Sequence, residues 1–256
     1  MGAEGTAAPP LRVRARARGG VETGRNRAGR TRRAAAAPRA GGYPSVPTAS
    51  TAAPPVRGRG PAPPPGPDPF AGGLPTLDGA RVRLRAPRPD DAADVLAVFG
   101  DAGHLRYWSH GPLASLDAAR AYVDGIGAGW RDRRLFQWAV TEPPADRLVG
   151  TVTLVDWDRE HRRAEVGFIV HPGVAGRGLA TDAVRTALRF AFDRMDLHRV
   201  EADVDPANAA SLRLLERLGF RREGTLRQRW FTFGTWKDTA LLGLLAADFA
   251  GGGGAG

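Results

Sequence analysis

Residues 165–183 read EVGFIVHPGVAGRGLATDA. An apolar run ends at Val170, a turn carrying Gly173, Gly176 and Gly178 follows, and a helical pattern opens directly after it. Glycine lets the backbone bend through conformations closed to other residues, so such a turn presents successive N–H groups ahead of the positive end of a helix. That combination suits an anion. The turn is not a P-loop, because it has no Gly-Lys-Ser/Thr, and its spacing is not that of the dinucleotide GxGxxG turn.

Working outward, LFQWAVTE (135–142), LVGTVTLVDWD (148–158) and RAEVGFIVHP (163–172) are alternating apolar runs joined by short polar connections, which predicts an antiparallel meander. Further upstream, ARVRLRAP alternates Val82, Leu84 and Ala86 against Arg81, Arg83 and Arg85, the period of a half-buried strand. RPDDAADVLAVFG then predicts a helix, with Pro89 in its first turn, Asp90 and Asp91 at the positive end, and Val95, Leu96 and Phe99 on one face. A second helix is expected from about Ser115 to Arg133 with Ala119, Tyr122, Val123 and Ile126 inward, weakened by Gly125, Gly127 and Gly129. Downstream of the glycine turn, Val184, Leu188, Ala191 and Met195 form one helical stripe. HRVEADV reads as a strand, and NAASLRLLERLG reads as a helix closed by Gly219. FRREGTLRQRWF and TWKDTALLGLLAADF close the order βααβββαβαββ, a mixed α/β class without repeats.

Composition divides the chain. Residues 1–73 are rich in Pro, Gly, Ala and Arg and poor in large apolar side chains, so they cannot bury enough surface to offset ordering entropy and read as a disordered tail. They hold 12 Arg against Glu4, Glu22 and Asp68, a net of +9. Of the whole chain's +10, the rest therefore carries only +1. The basic charge belongs to the tail, and a nucleic-acid partner is expected, if at all, only through it. Lys237 is the single lysine among 37 basic residues. With no cysteine, disulfides, thiolate metal sites and a cysteine nucleophile are excluded. No run approaches the ~18 apolar residues of a membrane span. The expectation is a cytoplasmic protein, monomer or homodimer, without a membrane partner.

The stretch from Glu165 to Ala183 resembles the cofactor motif of the GNAT acetyltransferase superfamily, whose R/Q-x-x-G-x-G/A loop receives the pyrophosphate of acetyl-CoA. Here the loop is Ala175-Gly176-Arg177-Gly178-Leu179-Ala180, with Ala175 where Arg or Gln is usual. HRVEADVDPANAASLRLLERLGFRREG is similar to a second motif, that of the branch that acetylates N-termini of ribosomal proteins (RimJ/RimL-type), at Asn208, Ser211, Leu215 (one place beyond the usual apolar position, Leu214) and Gly219-Phe220. The resemblance covers about residues 75–250 and implies a GNAT fold, a mixed, mostly antiparallel sheet flanked by helices, at residues 74–250. It further implies an N-acetyltransferase using acetyl-CoA and no metal. The resemblance places acetyl-CoA against Phe168, Ile169 and Val170, against Ala175, Gly176, Arg177, Gly178, Leu179, Ala180 and Thr181, and against Asn208 and Ser211.

The chemistry requires a neutral amine, a stabilised oxyanion and a departing thiolate. Glu165 interrupts an apolar strand just before the turn and is the candidate base. The alternative is a strand carboxylate paired with Arg162 or Arg163. Ser211 is the candidate proton donor to sulfur, and Asn208 the candidate pantetheine contact. Both are also placed to satisfy helix-end N–H groups. Trp108 and Trp230 are candidates for an acceptor channel. The five histidines lack metal-ligand spacing, and His171 reads as structural. The expected acceptor is a protein or peptide N-terminal amine. The alternatives are a small-molecule amine such as an aminoglycoside or polyamine, or a non-catalytic acetyl-CoA-binding module tethered by its basic tail.

Overall fold

A computed structural model describes residues 68–249. Most of the segment read as a tail, residues 1–67, lies outside the described residues, as do residues 250–256. The elements are β1 (Leu77–Asp78), β2 (Arg83–Arg85), α1 (Ala92–Phe99), α2 (Leu116–Arg131), β3 (Leu135–Glu142), β4 (Ala145–Asp158), β5 (Arg163–Val170), α3 (Leu179–Asp193), β6 (Arg199–Val204), α4 (Ala209–Arg217), β7 (Arg221–Thr232) and β8 (Thr235–Leu245). Short β1 is the one strand the periodicity does not reveal. The strands form one eight-stranded sheet in the order β1-β2-β3-β4-β5-β6-β8-β7. Every neighbouring pair is antiparallel except β5 and β6, which α3 joins as a parallel crossover.

Strand alternation divides the core between the two faces of this sheet. On one face α3 buries Leu179, Ala183, Val184, Ala187, Leu188 and Ala191, and α4 buries Leu214 and Leu215, against Val152, Leu154, Val166, Val200 and Ala202. On the other face α1 and α2 bury Val95, Phe99, Ala119 and Val123 against Ala139, Leu148 and Ile169. Ser115 caps α2 by accepting the Ala118 N–H at 3.2 Å. Gly129 earns its helical position through packing, because a Cβ there would lie 2.8 Å from that of Leu135.

Two expectations are corrected. The packed part starts before residue 74: Phe70 is fully buried and stacks on Phe136 with ring centroids 4.0 Å apart, and Asp68 pairs with Arg133 at 2.5 Å. In β2 the buried alternate is Arg85, while Ala86 is exposed. The Arg85 guanidinium donates to both Asp91 oxygens at 2.8 Å and to Asp146 Oδ1 at 2.8 Å, so Asp91 serves a buried ion pair. Paired and hydrogen-bonded in this way, both charges tolerate burial.

Candidate active site

The glycine turn separates into two halves. In the first, His171 Nδ1 accepts the Gly173 N–H at 3.1 Å, and the Val174 and Ala175 N–H groups donate to His171 and Pro172 carbonyls at 3.0 Å. Those donors are already engaged, which removes the Ala175 N–H from the expected cofactor set. In the second half, Gly176 and Gly178 take φ of 78° and 81°, and α3 begins at Leu179. The first helical turn has no internal partners for its N–H groups, so Leu179, Ala180 and Thr181 present theirs beyond the helix end. A Cβ on Gly176 or Gly178 would meet open space, so glycine is required there by conformation and by whatever approaches the backbone.

The helix end is fastened to the sheet edge. Asp182, buried in the first turn of α3, accepts the Arg81 and Val82 N–H groups at 2.6 and 3.2 Å. Gly79 makes this contact feasible, since a Cβ there would sit 2.7 Å from Asp182 Oδ2. Arg81 is thereby held beside the turn, where it borders two adjoining open clefts of about 550 and 450 Å³ together with Arg177. Arg185 and Arg217 line the second cleft, and among the described residues no carboxylate pairs with either. Arg177 is salt-bridged to Glu142. The second cleft is lined by Arg81, Arg177, Arg185 and Arg217 against Asp182, so it holds excess positive charge beside N–H donors unpaired among the described residues.

Beside the turn the sheet opens. The parallel ladder holds only Arg163–Glu165 against Arg199–Glu201, so among the described residues the edge of β5 facing β6 has no strand partner from Val166 to Val170. Glu165 stands at the branch point. Burial, then the charges of Asp203, Asp156 and Glu201, push its carboxyl up to about 7, with Arg229 opposing them. A carboxyl tuned near neutrality beside an open strand edge is suited to exchanging a proton with an amine. The alternative pairing of Glu165 with Arg162 or Arg163 is not formed: Arg162 binds Asp196, and Arg163 binds Asp158 and Glu201.

Against that geometry, residues 81–221 match the family described as Acetyltransferase (GNAT) domain. The chain belongs to this family. It is similar to the Uncharacterized N-acetyltransferase YoaA of Bacillus subtilis (strain 168), with 29% identity over 67% of this chain and 97% of that one. It is also similar to the Spermidine N(1)-acetyltransferase of Escherichia coli (strain K12), with 29% identity over 63% and 84%. Among solved structures, Mycobacterium smegmatis RimJ in complex with CoA-disulfide superposes with a TM-score of 0.65 and 27% identity over 70% of this chain and 91% of that one. The chain is therefore an acyltransferase of the GNAT fold, and GNAT acetyltransferases use acetyl-CoA. The donors left free at Gly176–Thr181 and the unpartnered β5 edge fit such a cosubstrate.

The remaining candidates divide. Asn208 is the N-cap of α4, its side-chain oxygen accepting the Ser211 N–H at 3.2 Å. The Ser211 hydroxyl has no protein hydrogen-bond partner among the described residues, so it is available to a ligand. Trp108 is packed edge-on against Phe99 and donates its indole N–H to His110 at 2.8 Å, a core contact. Trp230 is 40% exposed on β7 and donates to Asp203. Asp203, Asp182 and Arg81 are candidate site residues that sequence patterns miss, because their contacts are distant in the chain, and Arg185 and Arg217 are missed because only the fold shows that they border one cleft. Among the described residues no cluster of metal-ligating side chains occurs, and no helix is long and apolar enough to cross a membrane.

Proposed function

We propose that this GNAT enzyme acetylates the N-terminal amine of a protein or peptide, with Glu165 as its base. One observation carries the reading: a carboxyl raised to about 7 at the branch of β5 and β6. An α-ammonium group titrates near 7.7–8.0, roughly one unit above such a base, whereas an alkyl ammonium like that of lysine titrates near 10.4. Proton transfer is efficient when the two values lie close together.

The residues divide the work along the opened strands. N–H groups from Gly176 to Thr181 hold the pyrophosphate, and Arg81, Arg185 and Arg217 hold further phosphate charge. The free edge at Phe168, Ile169 and Val170 offers backbone groups to the pantetheine arm. Acetyl-CoA, when bound, supplies the thioester carbonyl. Glu165 receives the proton that the acceptor ammonium gives up, and the Ser211 hydroxyl is the donor available to a departing sulfur. Trp230 borders the acceptor side.

A second reading, a polyamine acceptor, draws support from Asp156. Burial pushes its carboxyl up, and among the described residues Arg163 is the charge that opposes this. The test follows thiol release with acetyl-CoA and a panel of peptides, spermidine and aminoglycosides. The reading expects free α-amine peptides to be turned over with the highest kcat/KM, and the same peptides with blocked N-termini to be inert. Preference for spermidine would replace the acceptor. Coenzyme A binding without turnover of any amine would leave a non-catalytic binding module.

A further inference from the structure

Asp203 is 9% exposed, and its carboxylate gathers donors from two other strands. It lies on β6 two residues beyond Glu201, past the last pair with β5, and strand alternation puts it on the face that Glu165 and Glu201 share. The Trp230 indole N–H reaches both of its oxygens at 3.1 Å, and Arg229 Nε reaches Oδ2 at 3.3 Å. The Thr239 hydroxyl, on the intervening β8, donates to Oδ1.

The hairpin is shaped to make these contacts. The register of β7 on β8 shifts between Leu226 and Trp230, Gln228 takes a φ of 50°, and Asp238 Oδ1 accepts the Gln228 N–H at 2.8 Å. A bulge of this kind re-aims the side chains that follow it. Here it brings Arg229 and Trp230, neighbours in sequence, onto one carboxylate. The ring that Asp203 anchors by its N–H edge remains 40% exposed, so the contact fixes an indole that is still available to a ligand.

We propose that Asp203 is the positioning residue of the acceptor side: it seats Trp230 beside the strand opening and stands behind Glu165 as its principal charge neighbour. The proposal rests on the reading of Glu165 as base. Charges reach Glu165 from each strand around it, from Asp156 on β4, from Glu201 and Asp203 on β6 and from Arg229 on β7. After burial, Asp203 is the strongest influence favouring the protonated form, and Arg229 acts in the opposite sense. The ion pair between Asp203 and Arg229 therefore contains two opposed controls on the same proton.

This opposition supplies the test, made on the full chain at saturating acetyl-CoA with a free α-amine peptide. Asp203→Asn keeps an oxygen for Trp230 and removes the charge, so the rising limb of kcat/KM should move to lower pH by roughly half a unit or more. Arg229→Gln should move it to higher pH. Asp203→Ala, losing the tether as well, should also raise the acceptor KM several-fold while leaving the acetyl-CoA KM, taken from a separate series in which acetyl-CoA is varied, unchanged. Should Asp203→Ala fail to fold, the two charge variants decide the matter by the opposite signs of their shifts. If Glu165→Gln loses rate and leaves the limb at the peptide's own α-ammonium value, but both charge variants superpose on the parent or move together, Asp203 has a purely structural part and the proposal is overturned alone. If Glu165→Gln keeps the parental kcat and the parental position of the limb, leaving no more than the peptide's own α-ammonium to titrate near 7.7–8.0 in either chain, the base assignment fails and the proposal falls with it.

Discussion

Glu165 on β5 lies opposite Glu201 on β6 in the last register pair before the two strands separate. Arg163 and Arg199 bind Glu201, whereas Glu165 is left to a buried surrounding with more negative than positive charge. Its proton is therefore held to about pH 7, and the enzyme should gain activity as that proton leaves. Glu165→Gln should lower kcat by roughly 10²- to 10⁴-fold, keep coenzyme A affinity within a few-fold, and leave the rising limb of the pH profile at the peptide's own α-ammonium value. Ser211→Ala should cost less, since a thiolate is a tolerable leaving group, and should retain the parental limb. Stopped thiol-release assays across pH distinguish the two.

The same group predicts how stability varies with pH. Its folded value lies above its ordinary 4.5, so between about 4.5 and 7 the folded state binds more protons than the unfolded state. This contribution to stability is fully present below 4.5 and is lost as pH rises towards 7. Glu165→Gln removes the loss, so its Tm should exceed the parent's at pH 8 by more than it does at pH 4.5. Equal differences at both pH values would mean that the carboxyl titrates normally.

Where site and sequence reading agree, the contacts are local. The strand, glycine turn and helix around Val170 to Leu179, and the Asn208 cap on Ser211, are set by neighbours within a few residues. Where they part, the partner is distant. HRVEADV reads as an ordinary strand with a polar face, and nothing in it announces that Asp203 binds Trp230, 27 positions later. Arg85 reads as a solvated alternate because Asp146, which helps to bury its charge, is 61 positions away. Phe70 is hidden by the Pro/Gly-rich composition around it, although Phe136, Trp157 and Phe190 enclose its ring.

That enclosure makes the start of the domain testable. Phe70→Ala should cost about 3–5 kcal/mol, the range for emptying a fully buried aromatic site. Chains beginning at residue 68 and at residue 74 should differ by a comparable amount, because the shorter one loses both Phe70 and the Asp68 contact with Arg133. Chemical denaturation of the three variants measures this. Identical midpoints for the two truncations would show that the aromatic cluster closes without Phe70.

Gly178 tests the turn. Its φ of 81° opposes a β-branched side chain, yet a Cβ there touches no atom of the described residues. Gly178→Val should therefore cost only about 1–2 kcal/mol of stability through backbone strain, while coenzyme A affinity falls tenfold or more. Calorimetric titration with coenzyme A checks the second part. Unaltered affinity would leave the turn a connection and no more.

The arginines beside that turn should read the phosphates separately from the thioester. Arg185 and Arg217 line the cleft without carboxylate partners among the described residues, and Arg81 is brought there by the grip of Asp182 on its backbone N–H. Each phosphate contact from a guanidinium is charge-assisted, typically about 1.5–3 kcal/mol, or roughly ten- to a hundredfold in affinity. Arg185→Ala with Arg217→Ala should thus weaken coenzyme A by at least tenfold while altering Tm little, since among the described residues neither forms an ion pair whose loss would strand a buried charge. Dephospho-coenzyme A, one phosphate poorer, should bind the parent more weakly than coenzyme A does and should lose less on the double substitution. A parallel loss for both ligands would assign the two arginines to the pyrophosphate. Retained affinity for both would place them on a solvated helix face, leaving the N–H groups of Gly176 to Thr181 to hold the phosphates by themselves.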